Sequence, residues 1–240
     1  MSGCSLLTYN TATEQREFII IPTDVEVSMG NDIHKQISSE FNLSKNQRQL
    51  DRLKKIGNRL AAVSDRQDYS YKFFLLEKNE LNAFTTPGGN VYVLTGLMDK
   101  LDTDDEVAAV LAHEIGHCAA RHTIKKFQAA VSYNIIGSII FSQLKMEEQV
   151  QRLAALSTNM AMNLIFSAYS RKDELQADRL GLKYMYLAGF DVNGMIKTFE
   201  ILKKESNEKK GIPILRTHPY IDDRITMAKQ EIEKITHHYQ

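Results

Sequence analysis

Apolar residues at helical spacing give the clearest pattern near the start of the chain. Leu50, Leu53, Ile56, Leu60 and Val63 recur every three or four positions, so Gln47 to Val63 predicts a helix with one apolar stripe. Asp32 to Phe41 predicts a shorter helix, and residues 1–30 read as an extended, irregular segment. Tyr71 to Leu76 is aromatic and apolar and predicts a strand. Leu81 to Thr86 and Asn90 to Thr95 predict two more, joined as a hairpin around Pro87-Gly88-Gly89. Thr103 followed by Glu106 fits a capping box, and Asp104 and Asp105 suit the positive end of a helix. That helix is expected to run through Val107, Val110 and Leu111 to about Lys126.

More helix is expected from about Gln128 to Ser170, broken near Lys145, and again from Lys172 to Ala188 with Gly189 as its stop. Gly194 to Lys204 is helical, Glu205 to Gly211 reads as a solvated loop, and a last helix follows Pro219 toward Lys234. Helices dominate and the strands are grouped. The expected class is α+β, mostly helical, with a small mixed sheet whose edge hairpin lies beside the helix from Asp104. Residues 31–240 are expected to form a single domain.

Composition narrows the function. Of 240 residues 43% are hydrophobic and 25% charged, enough for one sizeable core. Lys plus Arg and Asp plus Glu each number 30, so neither a nucleic-acid footprint nor a polybasic lipid patch is expected. The longest apolar candidate, Ala129 to Phe141, is interrupted by Ser132, Asn134 and Ser138, and reads as a core helix rather than a membrane span. Met146, Met160 and Met162 are expected in the core. Two cysteines make no disulfide framework. Cys118 reads as a small buried hydrophobe. Cys4, in Met1-Ser2-Gly3-Cys4-Ser5, allows two readings: the lipidated cysteine ending a bacterial lipoprotein signal, or a disordered terminus.

The chemistry concentrates in His113-Glu114-Ile115-Gly116-His117, an HExxH pattern inside a predicted helix. Residues four apart share a helix face, so both imidazoles reach one divalent ion. Glu114 stands about 100° around the helix, beside the ion, where a general base takes a proton from a zinc-activated water. A catalytic zinc takes three protein ligands and leaves one position open. A third histidine at metzincin spacing is absent, since Thr123 and Ala120 occupy the required places. His122 is one place off and reads as structural or surface. Glu174-Leu175-Gln176-Ala177-Asp178 puts two carboxylates on one later helix face. It is either a solvated acidic face or the source of a ligand, Glu174, with Asp178 orienting a ligating histidine.

Four motifs taken together resemble a known family. They are Asn82 to Gly89 (NAFTTPGG), His113 to His122 (HEIGHCAARH), Tyr169 to Asp178 (YSRKDELQAD), and Thr217-His218-Pro219 with Arg224. The chain resembles the gluzincin-type metallopeptidases related to the HtpX heat-shock protease and the CAAX prenyl endopeptidase, over about Glu26 to Met227. It is most similar to their soluble bacterial cell-envelope members, several of them lipoproteins. The resemblance implies a zincin-like fold, one zinc ion per chain held by His113, His117 and Glu174, and endopeptidase activity on proteins or peptides. It implies that Asn82, Ala83 and Phe84 lie on a strand beside the cleft, and that His218 and Arg224 face the zinc. His218 would either donate to the oxyanion or cap the zinc; Arg224 would either touch substrate or make a structural ion pair. It further implies a periplasmic or membrane-associated location, with Cys4 as a lipid anchor. The alternative is a chaperone-like or assembly factor for envelope proteins with a mostly latent zinc site. Cys118 departs from the family, which more often has a small or aliphatic residue there.

Overall fold

The computed structural model describes residues 7–68, 70–136, 158–209 and 211–238. After the short helix α3 (Thr95–Met98), Thr103 starts the central helix, α4 (Asp104–Ala119), as its spacing to Glu106 requires. The Thr103 hydroxyl accepts from the Glu106 N–H and the Glu106 carboxylate accepts from the Thr103 N–H, each at 3.2 Å. Every residue from Glu106 to Ala119 is buried, so α4 is covered on all sides. Around it pack α2 (Gln47–Ala61), strand β4 (Ala83–Thr86), α7 (Arg171–Leu187) and α8 (Asn193–Glu208).

A three-stranded mixed sheet lies beside this helix. β5 (Asn90–Leu94) is central and fully buried, parallel to β3 (Lys72–Leu76) and antiparallel to β4 across the Pro87-Gly88-Gly89 turn. The two-residue period divides the sheet between two cores. Phe73, Leu75, Ala83, Val91 and Val93 face the core built on α2 and α4. Phe84 and Tyr92 face the other core, with α1 (Thr23–Glu40), α5 (His122–Ile136) and α6 (Thr158–Ile165). On that second face Phe84, Tyr92, Phe74 and the α1 residue His34 stack ring on ring, at 4.9, 5.1 and 4.3 Å between centroids.

The α+β class stands, and several boundaries differ from expectation. Residues 7–30 are structured: Leu7–Asn10 (β1) and Gln15–Phe18 (β2) form an antiparallel hairpin. Helix α1 starts at Thr23, directly after Pro22, rather than at Asp32. Its stripe, Met29, Ile33 and Ile37, has one apolar residue per turn and is too narrow to stand out.

The helix from Asp104 does not reach Lys126. It ends at Ala119, and Arg121 adopts the left-handed conformation (φ 57°) before α5 begins at His122. A non-glycine residue is costly there. The Arg121 side chain holds it, donating through Nη2 to Ile21 O at 2.7 Å and to Glu26 Oε2 at 2.8 Å.

The expected helix from Gln128 to Ser170 falls partly outside the described residues, as do its break near Lys145, Met146, and Cys4. Within them its residues belong to α5 and to α6, which ends at Ile165, short of Ser170; Met162 is buried. Helix α8 continues to Glu208, through part of the expected loop, because Glu205 is buried and ion-paired with Lys100. A short α9 (Pro213–Thr217) was not expected, and α10 (Ile221–His238) follows Pro219. Among the described residues no helix is long and apolar enough to cross a membrane.

Candidate metal centre

Two capped helices bring the candidate ligand residues together. α7 starts like α4, with Ser170 and Asp173 as its capping box. Its contact with α4 is very close at Gly116, where an added Cβ would lie 2.6 Å from Ala177 O. Only glycine admits that approach. It brings Glu174 on α7 against His113 and His117 on α4.

The third element is the turn after α9. His218 ends that helix, donating its N–H to Ile214 O at 2.7 Å, and its ring enters the same space. His113 Nε2 lies 3.0 Å from His117 Nε2 and 3.1 Å from His218 Nδ1. Glu174 Oε1 lies 3.1 Å from His218 Nδ1 and 3.3 Å from His117 Nε2. Ligand atoms from all four residues fall within 4.8 Å of one another, and all four residues are buried.

These residues fit a zinc ion. Ligand atoms about 2.0–2.1 Å from a tetrahedral metal are about 3.4 Å apart, close to the spacing seen here. Three imidazoles and one carboxylate form an ordinary zinc ligand set. Carboxylates surround the point of convergence: Glu114, Glu174 and Asp178 are buried, with Arg224 paired to Asp178 and close to Glu174.

The surroundings favour the binding forms of His117 and Glu174 and orient His113; at His218 burial alone would lower the pKa, but the charges of Glu174 and Glu114 outweigh it and raise it. Burial, above all, pushes the His117 pKa well below the ordinary histidine range, so the ring is neutral and offers a lone pair. Burial alone would raise Glu174; the charges of Arg224, His218 and His113 outweigh it and hold the carboxyl well below its usual range. Asp178 accepts from His113 Nδ1–H at 2.7 Å, which leaves His113 Nε2 free for an ion. Arg224 is buried and grips Asp178 with two hydrogen bonds, Nε to Oδ2 at 2.7 Å and Nη2 to Oδ1 at 2.8 Å, while Nη1 lies 2.9 Å from Glu174 Oε2. Its geometry is that of an ion pair behind the ligands.

Glu114 stands beside the cluster. Its Oε1 is 3.5 Å from His218 Nε2, and its Oε2 is buried without a hydrogen-bond partner. Burial, the largest influence, raises its pKa.

Asn82, Ala83 and Phe84 are not in the cluster. Asn82 is buried, its backbone O accepts from Leu94 N, and its side-chain Oδ1 has no partner. Ala83 and Phe84 belong to β4, the outer strand of the sheet, and Phe166 packs edge-on against Phe84 at 5.0 Å. Cys118 is buried against the Thr85 hydroxyl, 2.8 Å away, with its thiol pushed up to about 12 by burial.

Two neighbours of His117 carried no site role in the sequence reading. Tyr169 stacks on its ring at 3.9 Å, and the Lys126 ammonium lies 3.6 Å from the Tyr169 ring centroid. His122 Nδ1 is 2.9 Å from His117 Nδ1. On a straight helix His122 would point elsewhere; the turn at Arg121 brings it back. The HEIGHCAARH motif contained the residue, but nothing in it announces that reversal.

An HExxH helix beside a small mixed sheet, with a glutamate from a later helix joining a buried cluster that could hold a metal ion, fits a zincin-like metal centre. A family model described as Peptidase family M48 matches residues 47–232, and the chain belongs to this family of zinc metallopeptidases. It is 27% identical over 222 residues to the Beta-barrel assembly-enhancing protease of Yersinia pestis, covering 90% of this chain and 45% of the relative. It is 32% identical over 183 residues to the Putative beta-barrel assembly-enhancing protease of Vibrio cholerae, covering 73% and 37%. It is 30% identical over 228 residues to the Mitochondrial metalloendopeptidase OMA1 of Schizosaccharomyces pombe, covering 93% and 66%. The chain thus spans between 37% and 66% of the length of these curated relatives.

Proposed function

We propose that this chain hydrolyses peptide bonds in proteins of the bacterial cell envelope. The observation that carries the reading is the convergence of His113, His117 and Glu174 with a buried, partly unpartnered Glu114 beside them. Zinc, when bound, supplies Lewis-acid polarisation of the water and of the scissile carbonyl. Glu114 takes the proton from the attacking water and delivers it to the leaving amine. Asp178 and Arg224 hold His113 and Glu174 in place. Strand β4 has one side paired to β5; an extended substrate pairing with its other edge through main-chain hydrogen bonds requires that edge to be uncovered first, since all four β4 residues are buried. The Glu114→Gln variant is expected to keep stoichiometric zinc and lose cleavage of a casein-type substrate. Undiminished cleavage by that variant would reject the assignment.

The position of His218 favours its role as a cap. Its Nδ1 is the fourth ligand atom, and four protein ligands close a site that must open for substrate. His218→Ala is then expected to keep zinc and to turn over an unstructured peptide faster; slower turnover would instead favour a role in holding the oxyanion. A closed resting site also supports the second reading, a chaperone-like or assembly factor for envelope proteins. Complementation of a deletion strain by Glu114→Gln separates the two, since full complementation favours the second. The envelope location is supported by the bacterial relatives named above, and a lipid anchor at Cys4 is tested by metabolic labelling with a fatty acid.

A further inference from the structure

We propose that His122 is a positioning residue that fixes the proton of His117 on Nδ1, with Gln176 at the far end of the relay; this rests on the metal assignment above. His117 Nε2 faces the other ligand atoms, so ion binding there requires a lone pair on Nε2 and the ring proton on Nδ1. The atom facing that Nδ1–H is His122 Nδ1 at 2.9 Å, and it must accept. The remaining proton of His122 is then on Nε2, which donates to the Gln176 Oε1 carbonyl at 3.0 Å.

The alternative arrangement is self-defeating. If Gln176 presented its amide N–H₂ to His122 Nε2, His122 would carry its proton on Nδ1 and give it to His117 Nδ1. The His117 proton would move to Nε2, where it blocks the ion. Buried histidine ligands usually donate their second N–H to a carboxylate or carbonyl; His113 does so to Asp178, whereas His117 meets a second imidazole. His122 is 1% exposed, so water does not replace it. Gln176 is on the same helix as the ligand Glu174, and His122 directly follows the turn at Arg121. The relay therefore ties the α4–α5 reversal to the ligand helix.

The test uses the full chain and zinc alone as ligand, with affinity read by competition against a chromophoric chelator. His122→Phe is expected to weaken zinc binding by about 10–100-fold. Gln176→Leu should weaken it less, and Gln176→Glu, which still accepts from Nε2–H, should restore wild-type affinity. Imidazole ¹⁵N NMR on the zinc-loaded wild type should find His117 protonated at Nδ1 and His122 at Nε2, a measurement that needs no variant to fold. His122 protonated at Nδ1 overturns the proposal. So does zinc affinity within twofold of wild type in both His122→Phe and Gln176→Leu. Loss of zinc in Glu174→Ala with an intact His122 relay tests the metal assignment separately.

Discussion

Two ionic clusters among the described residues are balanced differently. In the first, Glu26 from α1 pairs with Arg121 at 2.8 Å and lies 3.7 Å from Arg66, which also pairs with Asp68 at 2.6 Å. Two guanidinium groups meet two carboxylates, and the set closes on itself. In the second, Glu114, Glu174 and Asp178 face Arg224 and three neutral-capable imidazoles whose lone pairs converge. A buried charge without a partner is costly. The first cluster pairs its carboxylates with guanidinium groups and acts as a structural tie, whereas in the second the imidazole nitrogens and Glu174 converge on one point that could hold a cation. Burial and acidity alone do not distinguish them; the convergence of ligand atoms does.

The comparison breaks most visibly in metal content. Glu174→Ala is expected to reduce bound zinc from one per chain to near zero, and Glu26→Ala to leave it unchanged, as measured by elemental analysis after dialysis. Equal loss in both would mean that the first cluster also serves the ion. Chelating the zinc from the wild type should lower its stability by about 4 kcal/mol when free zinc had stood near a thousand times Kd. The same treatment should leave Glu174→Ala unmoved in a urea titration. Glu26→Ala takes from the buried Arg121 its carboxylate, while Arg66 keeps Asp68, and should cost about 3–5 kcal/mol in the same titration.

The smallest effect concerns the hairpin. Burial tends to raise the Glu17 pKa, but Lys125, Asn10 and Thr13 outweigh it and leave it lowered. Its stabilising contribution is thus present at neutral pH and lost as pH falls through the depressed folded value. Glu17→Gln should melt below wild type at neutral pH, and the two should converge in acid. A gap that persists in acid would mean that the carboxylate charge is not what stabilises the hairpin.

Much of the site was legible because local rules place it. Four-residue spacing put His113 and His117 on one face, and the Thr103 capping box fixed where their helix starts. The spacing of Glu174 and Asp178 told only that they share a face; the distance to α4 depends on Gly116 meeting Ala177, a tertiary fact. Nothing local marks Arg121 as left-handed, because its stabilisation comes from Glu26 and Ile21, far away in sequence. Since that turn is not legible in the sequence, the reading of His122 as structural or surface does not reveal its contact with His117. The hairpin of β1 and β2 was missed for a different reason: its strands are four residues each and largely exposed, so no apolar run signals them. Pro22, with Asp24 and Glu26 in the turn after it, was a usable start signal for α1.

The contact at Gly116 makes ligand reach a property of interhelix clearance. Two of the five HExxH positions are nominally free to vary, yet in this chain the second of them has no room for even a methyl group. A wedge there would part the histidine-bearing helix from the glutamate-bearing one and widen the gap the ion must bridge, although no ligand had been altered. Variants at this position would therefore retain the motif by inspection and lose the metal in practice, so motif integrity is a poor proxy for competence in this protein.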